Sequence, residues 1–170
     1  MKKLTLIRHA KSSWADPTLP DFNRPLNKRG RDDLPRMSTR VARQLPQADL
    51  ILSSGANRAR STAEELINLQ LDAPLAFVPE LYESCYETLL NVLQSQSDRH
   101  QHLIVVGHNP GLESLGYYLT HERLEKFPTA AVLHIHLSIR SWSELAESCG
   151  TSSWFDYPKL HPPYTHARQA

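Results

Sequence analysis

The chain is poor in cysteine, in charge excess and in long apolar runs, and each shortage excludes something. Its 170 residues hold two cysteines, Cys85 and Cys149, with neither a CxxC pair nor zinc-type spacing. A chain of this length supports its own core, so a disulfide framework is not needed and reduced thiols are expected. Lys and Arg total 19 against 18 Asp and Glu, giving a net charge of +1. That balance argues against nucleic acid as the main partner, because such binding rests on a basic excess. No segment approaches the ~20 apolar residues of a membrane helix. Lys2 and Lys3 open the chain, but the apolar run behind them stops at Arg8. It is shorter than the roughly 7–15 residues of a signal-peptide core, so a cytoplasmic protein is expected.

What the sequence does have is alternation. Short apolar runs bounded by polar or turn residues occur at Leu4–Ile7, Leu50–Leu52, Leu103–Val106 and Val132–Ile139, with a weaker run at Ala76–Val78. The segment SSWFDY offers a final edge strand. Between the runs lie stretches with helical spacing. Leu34, Met37, Val41 and Leu45 mark one, with Pro35 either in its first turn or kinking it. Residues from Ala56 to Leu69 mark a second, Glu87 to Leu93 a third and Leu112 to Leu119 a fourth. This pattern predicts a three-layer α/β/α fold with a mainly parallel central sheet. A single domain is expected over residues 1–158, with a loosely held polar tail over 159–170.

Three of the predicted strands end in polar groups. The first run leads into Arg8-His9, the second into Ser53-Ser54-Gly55-Ala56-Asn57-Arg58, and the third into Gly107-His108-Asn109. Adjacent parallel strands bring such ends to one edge of a sheet, where ligands of open α/β folds bind. Arg58 then falls in the first turn of a helix, where free N–H groups favour an anion. Two guanidiniums, Arg8 and Arg58, suit bidentate contact with phosphoryl oxygens. A neutral imidazole is an available nucleophile near pH 7, and attack by His9 on phosphorus gives a phosphohistidine intermediate. A carboxylic acid is expected to protonate a leaving ester oxygen; an imidazole leaving group needs it less.

The segments LIRHAK, SSGANRARSTAE and VGHNPG resemble the motifs of the histidine phosphatase superfamily, whose fold is phosphoglycerate-mutase-like. The chain is most similar to its small SixA-type phosphohistidine phosphatases, and DFNRPLNKRG and PELYES fit as well. The resemblance runs from about Leu4 to Trp142. It implies that His9 is the phosphorylated nucleophile, that Arg8 and Arg58 hold the phosphoryl group, and that His108 completes the pocket. It implies no cofactor and no metal. Ala10 stands where the family usually has glycine, an exchange shared by SixA-like members, and Gly55 stands where proline is common. Larger relatives place a proton-donating Glu at the position of Glu83, with Glu80 the neighbouring alternative.

The expected function is hydrolysis of a phosphoryl group, with phosphohistidine on a signalling protein as the first substrate class. A small phosphate ester is the second. A binding module that holds phosphate or a phosphoprotein without turnover is the reading from another class. Neither nucleic acid nor membrane is an expected partner. Only residues 70–106 separate the second helix from the third motif, which leaves no long lid and favours a protein substrate.

Other residues carry weaker readings. Ser12 and Ser54 either donate to phosphate or cap turns. Arg60 is expected to point elsewhere than Arg58. His134 and His136 share one strand face and are read as a polar face rather than a metal site. Asp21 and Arg24 are either a salt-bridged loop or a contact for a protein substrate. Trp142, Trp154, Phe155 and Tyr157 are read as one cluster that packs the C-terminal segment, or as a partner surface.

Overall fold

The computed structural model describes residues 1–68 and 72–162. The first apolar run becomes strand β1, Lys2–Arg8, and the others become β2, Leu50–Ser53, β3, Leu75–Phe77, and β4, His102–Gly107. Two later strands, β5, Val132–Leu137, and β6, Gly150–Asp156, complete a six-stranded sheet in the order β3-β2-β4-β1-β5-β6. The first four strands pair in parallel, while β5 joins β1 and β6 joins β5 antiparallel. The mainly parallel α/β architecture expected from the alternation is therefore the one found.

Period-two alternation along each strand divides the core. Leu4, Leu6, Leu103, Val105, Leu133 and Ile135 face helices α3, Tyr86–Gln94, and α4, Gly111–Thr120. Ile7, Ile51, Ile104, Val106 and Val132 face α1, Lys28–Gln44, and α2, Asn57–Asn68. The periodic residues Leu34, Met37 and Val41 supply the apolar stripe of α1. Its N-cap is Asn27, whose side chain accepts from the Gly30 amide at 2.8 Å. Gly30 lets this helix approach the loop that follows β1, since a Cβ there would lie 2.2 Å from the Lys11 carbonyl oxygen.

The structure refines the sequence reading at three places and does not reach it at a fourth. Pro35 lies beyond the first turn of α1, and the helix continues through it to Gln44. Leu69, the expected end of α2, lies outside the described residues. The four C-terminal aromatics do not form one cluster. Trp142 is fully buried in the core on the α3–α4 side, donating its indole N–H to the His100 carbonyl at 2.8 Å, whereas Trp154 packs on the α1–α2 side. Phe155 and Tyr157 pack with Phe127 on the same side of the sheet as Trp142, so Trp154 alone is set apart. Strand alternation splits residues that adjacency in sequence suggested were together. Finally, the segment expected to be loose begins with a turn, Pro158–Leu160, set against α1. His161 is bonded to Asp156 at 2.7 Å and to the Arg36 guanidinium through its carbonyl. Residues 163–170, the rest of that segment, lie outside the described residues.

Candidate active site

The C-terminal ends of the three neighbouring strands β2, β4 and β1 set the site. Backbone bonds lock the first motif between its neighbours. The His9 amide donates to the Gly107 carbonyl, and the His9 carbonyl accepts from the Ala130 amide, both at 3.0 Å. Behind them, the Ala10 amide donates to the Thr62 hydroxyl of α2 at 3.0 Å. Ala10 is fully buried there, so a small residue is what the contact with α2 admits. The Ser54 amide donates to the Val106 carbonyl at 3.0 Å, which ties the second motif to the third.

Arg8, His9, Arg58 and His108 converge. The two imidazole rings lie 5.1 Å apart, centroid to centroid. His9 Nδ1 lies 2.7 Å from the Ala10 carbonyl oxygen, an acceptor, so Nδ1 carries the proton. That leaves the lone pair on Nε2. Burial, with His108, Arg58 and Arg8 close by, lowers the His9 pKa to about 3. Burial and the Arg58 cation lower that of His108 to about 4. Both rings are neutral near pH 7. His108 Nε2 is 2.9 Å from the Ser54 hydroxyl, which makes Ser54 a support for this ring.

The arginines are held by groups outside the motifs. Arg8 donates to the Phe127 carbonyl at 2.9 Å, and the Asn109 amide donates to the same oxygen at 3.1 Å. Arg58 is nearly fully buried in the first turn of α2. It donates to the Asp21 carbonyl at 2.8 Å, to the Asp21 carboxylate at 3.0 Å and to Glu83 at 2.7 Å. Glu83 also lies 3.4 Å from His108 Nδ1. Glu83 has a backbone φ of 51°, a left-handed conformation for a non-glycine residue. Three buried nitrogens of the quartet have no hydrogen-bond partner among the described residues: Arg8 Nε, Arg58 Nε and His108 Nδ1. Unpaired buried donors are costly. Two of these three are fixed N–H donors, and they suit an arriving anion.

Asp21 is the hub of the outer layer. Its carboxylate takes the Tyr82 hydroxyl at 2.5 Å and the Arg24 Nε at 3.1 Å, besides Arg58. Those bonds, the Tyr82 one foremost, hold its pKa down to about 2. Of the two readings of Asp21 and Arg24, the salt-bridged loop is present, and it closes on the site itself. Ser12 is turned to Arg24, whose guanidinium it accepts from at 2.9 Å. Arg60 points away and stacks on Phe77, 4.5 Å from the ring centroid. Glu80 is exposed in the turn Pro79–Leu81.

Elsewhere, His134 and His136 sit on one face of β5, with rings 5.3 Å apart. His134 is buried and shares the Thr5 hydroxyl with His102, each at 2.7 Å. Among the described residues no three His, Cys, Asp or Glu side chains gather as a metal site. Also among them, no helix is long and apolar enough to cross a membrane. Tyr82 and Asn109 were not singled out in the sequence. The only signal for Tyr82 is its place in PELYES, and for Asn109 its place after His108.

Two arginines and two histidines gathered at one edge of an α/β sheet suit the class of proteins that bind a phosphoryl-like anion. Comparison gives the family. The profile of the histidine phosphatase superfamily (branch 1) matches residues 4–97, and the chain belongs to that superfamily. An uncharacterized protein of Mycobacterium tuberculosis is 30% identical over 90% of this chain and all of its own length. An uncharacterized chloroplastic protein of Arabidopsis thaliana is 31% identical over 90% of this chain and 74% of its own. Among solved structures, SixA from Agrobacterium tumefaciens has a TM-score of 0.80 and 28% identity, covering 92% of this chain and 98% of its own. SixA from Nakamurella multipartitia has a TM-score of 0.81 at 21% identity, covering 92% and 96%. The family and this likeness support a phosphatase.

Proposed function

We propose that the protein hydrolyses phosphohistidine on a partner protein through a phosphorylated His9. The observation that carries the reading is the state of His9: a buried, neutral imidazole with Nδ1–H fixed on the Ala10 carbonyl and Nε2 free. That tautomer is the nucleophilic one. In the first step Nε2 of His9 bonds to phosphorus as the bond to the leaving nitrogen breaks. The leaving ring has already taken a proton from solvent on its other nitrogen, so it keeps the electron pair of the broken bond and departs as neutral imidazole. In the second step water attacks phosphorus, the His9–phosphorus bond breaks, and inorganic phosphate departs with His9 restored. Arg8, Arg58 and His108 meet the charge on the phosphoryl oxygens, and preorganised donors of this kind are each worth about 10²–10³ in rate. The likeness to solved SixA proteins supports the same substrate class.

A second reading, hydrolysis of a small phosphate ester, is favoured by one observation. Glu83 stands against both Arg58 and His108, where a proton donor for an ester oxygen is wanted.

The test is dephosphorylation of a phosphohistidine-bearing protein by wild type and His9→Ala, with chelator present. Loss of the phosphoryl group with wild type alone is the expected result. Turnover by His9→Ala at the wild-type rate would sink the mechanism, and a preference for free phosphate esters would transfer the protein to the second reading.

A further inference from the structure

The side of the site opposite His9 is lined in a way the phosphoryl chemistry does not require. Displacement at phosphorus runs in line, so a group attacked by His9 from below departs toward the mouth. At the mouth stand Phe22 and Tyr82. Their rings meet edge to face at 5.0 Å, and Tyr82 meets the His108 ring edge to face at 5.4 Å. The series Phe22, Tyr82, His108, His9 is thus a continuous run of rings from the surface to the proposed nucleophile. Phe22 belongs to neither core cluster and is 43% exposed. Its ring tip packs over the Gly55 backbone, 3.4 Å from where a Cβ would stand, which is ordinary van der Waals distance.

The rings are flanked by negative charge. The Asp21 carboxylate binds the Tyr82 hydroxyl and, with a pKa near 2, is ionised; Glu83 follows Tyr82 directly. Both acidic side chains are nearly half exposed, so each faces the mouth as well as Arg58. Aromatic faces beside carboxylates attract a flat cation, through the ring quadrupole and through charge together.

We propose that Phe22 and Tyr82 form an aromatic lip that stacks on the leaving group, and that they select planar, protonated ring systems over leaving groups without a ring. The inference deepens the phosphohistidine reading and rests on it for the nature of the bond that breaks. Tyr82 and Phe22 are specificity residues in this account; they take no part in bond making.

The experiment compares N-phosphoimidazole with phosphoramidate, which has the same phosphorus–nitrogen bond and no ring. The quantity read is the ratio of the two kcat/KM values, in wild type and in Tyr82→Leu, Phe22→Leu and Tyr82→Phe. The ratio is expected to fall roughly threefold to tenfold in each leucine variant, the loss of one aromatic pairing, and to stay within about twofold in Tyr82→Phe. An unchanged ratio in both leucine variants overturns the proposal, whatever happens to the separate rates. Inhibition of wild type by free imidazole near pH 6, against ammonium, needs no variant. Imidazolium is expected to compete with substrate the more strongly, and equal potency of the two cations overturns the lip. If wild type cleaves phenyl phosphate and neither phosphorus–nitrogen compound, the phosphohistidine reading fails. The lip is then judged on phenyl against ethyl phosphate in the same variants, by the same change in ratio.

Discussion

Glu83 is the residue at which the two substrate readings part. Its carboxylate touches Arg58 and approaches His108, and its backbone is held at positive φ. An ester oxygen leaves poorly without a proton, whereas imidazole leaves readily once protonated. Glu83→Gln keeps the shape and a hydrogen bond to Arg58 while removing the acid. It is expected to slow ester hydrolysis by about 10²–10⁴, the usual worth of a positioned acid. Phosphohistidine turnover should change far less. Steady-state rates on both substrate types in one preparation check this, and an equal loss on both assigns Glu83 to holding Arg58.

At the same scale, the sequence made some side chains legible and hid others. Arg8, His9, Arg58 and His108 stand next to strand ends, so local order was enough to bring them to one edge. Asp21 belongs to a proline-rich loop, and its bond to Arg58 spans residues that no periodicity connects. Tyr82 reaches Asp21, and Asn109 the Phe127 carbonyl, only when loops from distant parts of the chain close on the site.

Among the elements, α4 and the loop before α3 fix where Glu83 sits. Gly111 opens α4, and a Cβ there would lie 2.2 Å from the Ser84 carbonyl oxygen. The neighbour is backbone, so it yields only by moving the loop that carries Tyr82 and Glu83. Gly111→Ala is expected to cost about 1–3 kcal/mol, as overpacking does. It should also lower kcat/KM, with secondary structure kept. A urea melt and a steady-state assay measure the two effects, and wild-type values in both would show that the loop is not held by this contact.

Element existence was readable because each buried strand is a short apolar run and each helix carries an apolar stripe. β3 was the weakest of the strands, three residues ending before Pro79, too short for alternation to show. Of the two places open to Pro35, the structure takes the helix interior, where packing of α1 on the sheet overrides the low helix propensity of proline. Of the C-terminal aromatics only Trp154 departs from the expected cluster, because alternation along β6 turns it to the other face of the sheet.

For the whole molecule, buried histidines govern behaviour in acid. Burial lowers His9 to about 3, His108 to about 4 and His134 to about 3, whereas an unfolded chain protonates histidine near 6.5. Between those limits the unfolded state binds more protons than the native state. Stability therefore rises with pH across the window and is lost as pH falls below 6.5. Each group adds a slope of up to about 1.4 kcal/mol per pH unit. The urea midpoint is expected to drop steeply from pH 6.5 to pH 4.5, and His134→Gln to flatten the drop. A midpoint that stays level across that range would contradict neutral, buried rings.

Arg58 meets an arriving anion already committed to Asp21 and Glu83. What the anion gains is only the difference between its own ion pairs and those it displaces. The carboxylates thus act as resident competitors, and they return as soon as the anion loosens. Inorganic phosphate, with nothing to place against Phe22 and Tyr82, gains no more than that difference from Arg58. The same pairing that keeps the guanidinium in position between turnovers also limits how long the pocket retains what it has released.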